Sequence, residues 1–172
     1  MNKFLKPTVI LLLLTTSVFA QTKEDAIRDA KITSEATLKE DYKTVIKHTY
    51  PAVVNLMGGE ENAINFINMT FEGMKSQGFS FEKADVVSVS DVVFEQDQYR
   101  CYVENFNVMK MSNMRINSKS FLLGLYNNEG KFWYFLEAKQ LKSNELMDAV
   151  LPNFETSLVI PDDEMTTEPI KD

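Results

Sequence analysis

Residues 98–138 read QYRCYVENFNVMKMSNMRINSKSFLLGLYNNEGKFWYFLEA. Apolar and polar side chains alternate along this stretch with a period near two, the repeat of a β-strand. Two short breaks divide it, Ser112-Asn113 and Asn127-Asn128-Glu129-Gly130. Connections of that length join antiparallel neighbours. The pattern predicts strands over 98–111, 114–126 and 131–138. Gln96-Asp97 is a third such break and adds a strand over 85–95, which completes a four-stranded antiparallel meander. In the strand over 114–126, Phe121, Leu123 and Leu125 point one way, and Leu122, Gly124 and Tyr126 the other. The last strand is the most aromatic stretch of the chain. Bulky residues on both of its faces predict a strand that is central or covered on both sides.

Upstream the period lengthens to between three and four. Ile27, Ala30, Ser34, Leu38, Tyr42, Val45 and Ile46 form a stripe that predicts one helix over 23–49. Pro51 ends it, because proline restricts Tyr50 and lacks an N–H. A short turn over 51–57 follows, closed by Gly58-Gly59. A second helix is predicted over 60–76, with Ala63, Ile64, Ile67, Phe71 and Met74 inward and Gly78 just past its end. Residues 141–151 predict a short closing helix stopped by Pro152. Residues 153–172 carry Asp162, Asp163, Glu164, Glu168 and Asp172 against Lys171, and read as an acidic, loosely ordered tail. Helices followed by a meander make an α+β domain, with the helices covering one sheet face.

The N-terminus has the form of a signal peptide. Lys3 and Lys6 precede the apolar run VILLLLTTSVFA at 9–20, and Val18 and Ala20 suit cleavage before Gln21. The run is short for a membrane span of roughly 30 Å, so no membrane anchor is expected after cleavage. The predicted organisation is a signal peptide at 1–20, a domain at 21–152 and the tail at 153–172. An extracytoplasmic location follows, in the periplasm or outside the cell. Of 172 residues, 25 are acidic and 18 basic, a net charge of −7. Loss of Lys3 and Lys6 leaves 16 basic against 25 acidic side chains, or −9. That balance argues against a nucleic-acid partner, since phosphate backbones are bound by clustered cations. One cysteine, Cys101, excludes an internal disulfide, and one histidine, His48, excludes a His-rich metal site. No cofactor is indicated.

TYPAVVNLMGG at 49–59, GMKSQGFSFE at 73–82 and GKFWYFLEA at 130–138, set among two helices and four long strands, resemble the NTF2-like (cystatin-like, SnoaL-like) α+β cone. The likeness is to small secreted proteins of Bacteroidetes and covers about 24–151. It implies a curved four-stranded sheet under N-terminal helices, with an apolar pocket at the cone's mouth. It also implies an aspartate or histidine there as general base in the members that are enzymes, and it allows a homodimer through the outer sheet face.

His48 is the one side chain with an ordinary pKa near neutrality, and so the first candidate for acid–base work. Its place near a helix end also suits a structural histidine. Asp91 and Glu104 are the candidate carboxylates, and either needs apolar burial to serve as a base. Tyr42 and His48 are placed to line the pocket opening. Trp133 and Tyr134, with Phe132 and Phe135, offer rings for an apolar or aromatic ligand, or equally for the core. Met109, Met111 and Met114 lack the His and Cys company of a copper site. Gly58-Gly59-Glu60 lacks the spacing of a phosphate loop, and no nucleophile elbow is present. Two readings result. One is a non-catalytic binding or interaction module for a small apolar or aromatic ligand or a protein partner. The other is a small isomerase- or dehydratase-like pocket enzyme that uses a buried carboxylate or His48.

Overall fold

A computed structural model describes residues 22–142 and 148–170. The predicted signal peptide and residues 143–147 of the predicted closing helix lie outside the described residues. The helices are α1 (Lys23–Leu38), α2 (Tyr42–Lys47), α3 (Pro51–Leu56) and α4 (Glu60–Ser76). The strands are β1 (Phe79–Val89), β2 (Val93–Glu95), β3 (Gln98–Met111), β4 (Met114–Asn127), β5 (Phe132–Glu137) and β6 (Glu164–Pro169). A 3₁₀ turn, Ala138–Lys142, follows β5. No described helix is long and apolar enough to cross a membrane.

Thr22 and Asp25 form a capping box that starts α1. The single helix expected over 23–49 is broken at its middle. Glu40 turns into the left-handed region at φ 59°. Asp41 then restarts the chain as the N-cap of α2, accepting the Thr44 N–H at 3.2 Å and the Thr44 hydroxyl at 2.6 Å. The break shifts the helical phase, so Leu38, expected inward, is 42% exposed. The inner face of α1 is made by Ala26, Asp29, Ala30 and Ala36.

The main sheet runs β1-β3-β4-β5, with β2 also on β3 and β6 also on β4. Each edge is thus built from two pieces. The strand expected over 85–95 begins earlier, at Phe79, and breaks at 90–92, where the Ser90 hydroxyl takes the Tyr102 N–H at 2.9 Å. The sheet is open: β1 and β5 stand at opposite edges without pairing, and the curvature is not strong. The expected NTF2-like cone is therefore incorrect. A cone rolls its sheet around its own core, whereas here both faces are covered by other elements. On one face Ala26 and Ala30 of α1 pack with Val89, Cys101, Val103, Trp133 and Phe135. On the other, Leu123, Leu125 and Leu136 lie beneath Val150, Leu151, Phe154, Leu158 and Ile160.

That second cover corrects the expectation of a loose tail. Residues 153–160 cross the sheet, and β6 pairs with β4 from Met114↔Pro169 to Lys119↔Glu164. The missing counter-charges come from β4: Arg115 lies 3.8 Å from Glu168, and Lys119 lies 3.7 Å from Glu164. The alternation of bulk on both faces of β5 has the same origin. The strand is an edge strand, yet Trp133 and Phe135 belong to one core and Leu136 to the other.

A candidate ligand cavity under the helices

The helix-covered face does not close completely. A cavity of about 350 Å³ remains between α1, α2, α4 and the sheet, within the roughly 300–1,000 Å³ of small-molecule pockets. Thr33, Ser34 and Thr37 form its α1 wall, and Tyr42, Val45 and His48 its α2 wall. Ile67 and Phe71 reach in from α4. The sheet supplies the floor by strand register. Asn105 lies opposite Ser120, and Leu122 lies opposite Glu137. Tyr42 stacks on Phe71 with ring centroids 5.6 Å apart and planes 10° apart. Burial raises the Tyr42 phenol above its ordinary value, so it stays neutral.

Asn105, Glu137 and three threonines stand out among the polar lining residues, beside the hydroxyls and amides of Ser34, Asn107, Ser120 and Gln140. Asn105 is only 7% exposed, and its Oδ1 has no hydrogen-bond partner among the described residues. A buried amide oxygen without a donor costs about 1–3 kcal/mol. Glu137 is the one carboxylate among the described lining residues. Burial of the carboxyl holds it above the usual carboxylate range, with Asp163 acting in the same sense and Lys139 against it. Lys139 lies 3.9 Å away, but its own side chain is 65% exposed, so the pair is weak. Thr33, Thr37 and Thr49 donate their hydroxyl hydrogens to the carbonyls of Asp29, Thr33 and Val45, at 3.0, 3.0 and 2.9 Å. Their oxygens present only lone pairs to the cavity.

His48 lines the same cavity, but its polar contacts serve the fold. Its Nδ1 is 2.9 Å from the Trp133 carbonyl, which requires the hydrogen on Nδ1. Its carbonyl accepts the Phe135 N–H at 2.7 Å, and the Tyr50 N–H binds the Phe135 carbonyl at 3.0 Å. Asp29 completes the set by accepting the Trp133 N–H at 2.8 Å. The outward N–H and C=O groups of Trp133 and Phe135 on edge strand β5 are thereby all satisfied, and the edge is closed to further pairing. Asp29 is 2% exposed and also takes the Arg28 Nε at 2.9 Å.

The other expected site residues fall elsewhere. Asp91 sits in the break between β1 and β2 with a fully exposed side chain, 3.8 Å from Lys23. Glu104 points to the opposite sheet face from Asn105, where it accepts the Ser88 hydroxyl at 2.9 Å and pairs with Lys119 at 3.6 Å. Trp133 is fully buried and is a core residue. It packs over Gly124, where an added Cβ would come within 3.3 Å of the indole and 2.8 Å of Cys101 Sγ. Tyr134 lies on the outer edge of β5, accepting from Asn127 at 2.9 Å, and does not line the cavity. Of the expected residues, Tyr42, His48 and Phe135 meet there.

Asn105, Glu137 and Asp29 went unpredicted. Strand parity carries a signal for the first two. Cys101 and Val103 mark the inward face of β3, and the next inward position is Asn105 rather than Glu104. Trp133 and Phe135 likewise point to Glu137. Comparison of the chain with protein-family models, curated proteins and solved structures finds no match to any of them. The resemblance to the NTF2-like (cystatin-like) family and to Bacteroidetes proteins thus has neither a related sequence nor the expected sheet behind it.

Proposed function

We propose that this chain is a non-catalytic binding module, exported from the cytoplasm, that holds a small and largely apolar ligand between its helices and its sheet. The observation that carries this reading is the orphaned Oδ1 of Asn105 at the cavity floor. A bound donor relieves the cost of leaving that atom unpaired. The aromatic and aliphatic walls supply the apolar contact that such pockets use for affinity. Catalysis is less favoured, because the Nδ1 and carbonyl of His48 are committed to the edge of β5. Glu137 makes an ion pair with Lys139 but has no hydrogen-bonded partner to complete an acid–base pair among the described residues. A pocket enzyme remains the second reading, on the raised carboxyl of Glu137 alone.

The test is a titration with small aromatic and aliphatic alcohols, followed by calorimetry and amide chemical shifts. Binding is expected to shift resonances of α1, α2 and residues 103–107. Ser34→Phe fills the space from the α1 wall and is expected to abolish binding in a protein that still unfolds cooperatively. Undiminished binding by Ser34→Phe would sink the reading. Chemical conversion of a bound compound that Glu137→Gln stops would favour the enzyme instead.

A further inference from the structure

The described lining carries charge of one sign only, on Glu137, among neutral hydroxyl and amide groups. The threonine oxygens of α1 have committed their hydrogens to helix carbonyls. Asn105 Oδ1 awaits a donor, and Glu137 brings a carboxylate. No lysine or arginine is among the described lining residues. Around these acceptors stand the stacked rings of Tyr42 and Phe71, with Phe81 and Phe135. The faces of such rings attract cations.

We propose that the ligand is an organic cation, a primary amine with an apolar body, whose ammonium group is held by Glu137 and Asn105 with the α1 threonine oxygens. This rests on the binding reading given above and deepens it. An ammonium carries three donors and a positive charge, which suits the unpaired Asn105 oxygen and the Glu137 carboxylate. An anion would meet a carboxylate with no lining cation to offset it. A neutral alcohol could satisfy Asn105 but carries no charge to offset the Glu137 carboxylate. The chain's net charge of −7 further favours the approach of cations.

The experiment compares phenylbutylamine, phenylbutanol and phenylbutyrate by calorimetry with the purified protein, with Glu137→Gln and with the isosteric Thr37→Val. The amine is expected to bind at least tenfold more tightly than the alcohol, and the carboxylate most weakly. Glu137→Gln should remove most of the amine's advantage over the alcohol. Thr37→Val should weaken the amine two- to threefold, and thermal unfolding of each variant confirms that it is folded. Equal binding of amine and alcohol, tightest binding of the carboxylate, or an amine preference that survives Glu137→Gln overturns the cation proposal and leaves the cavity reading standing. Failure of all three compounds to bind overturns the cavity reading and the proposal with it.

Discussion

Cys101 has no exposed surface, and burial pushes its thiol up to about 12. It is therefore a neutral, unreactive packing residue at physiological pH. Thiol reagents should leave the native protein unlabelled and modify one group per chain on unfolding, as followed by absorbance. The folded pKa is raised, so the stabilising contribution is full below the unfolded thiol value near 9 and is lost as pH rises toward 12. Cys101→Ala should lack that alkaline loss when unfolding is compared across pH 9–12. Glu137 obeys the same sign. Its contribution is full below the ordinary carboxylate value of 4.5 and falls as pH rises through the raised one. Glu137→Gln should be more stable than the natural protein at neutral pH, with the difference vanishing in acid. Because the carboxylate side chain is 42% exposed, the gain should stay below about 1 kcal/mol. Denaturant titrations at pH 4 and pH 7 measure it.

At the scale of elements, the edge of β5 shows how a helix and a strand remote in sequence depend on each other. Asp29 on α1 takes the Trp133 N–H, so Asp29→Ala leaves that buried donor without a partner. A loss of about 1–3 kcal/mol is expected in urea unfolding. Asp29→Asn, which keeps an acceptor oxygen, should lose less. The helix over 60–76 and the strand over 98–111 were legible to the residue, because each carries an unbroken period and a strong stop. The helix over 23–49 was not. Its apolar stripe runs on through Glu40 and Asp41, and the break depends on a side-chain cap that competes locally with continued helix. Glu104 falls one residue off the inward parity that Cys101 and Val103 set, so the inward polar residue of β3 is Asn105.

For the whole molecule, the decisive surprise is the segment over 153–170. Arg100 is 3% exposed and holds this segment down: its Nη1 donates to the Glu155 carbonyl at 2.5 Å and its Nη2 to Gln96 at 2.8 Å. The guanidinium also stacks on Phe154, 4.6 Å from the ring centroid. Glu95 secures the next residues by accepting the Ser157 N–H at 2.9 Å and the Thr156 hydroxyl at 2.7 Å. Arg100→Met keeps much of the bulk and removes these bonds. Amide exchange should quicken across 153–158 in that variant, while α1 and β3 remain protected. Uniform acceleration over the whole chain would instead mean that the segment and the domain unfold as one unit.

The amino-acid order by itself determined the α+β class, the hairpin breaks and the acidic character, because periodicity and turn chemistry are local. It also placed Tyr42 and His48 on the helical segment that now borders the cavity. Three things were decided only by the tertiary structure: the open sheet, the ordered C-terminal cover and the cavity floor. Each depends on partners far apart in the chain, such as Arg115 with Glu168, Asp29 with Trp133, and Leu122 with Glu137. An acidic run reads as solvated until its counter-charges are found on another strand. A polar strand residue reads as surface until register turns it inward.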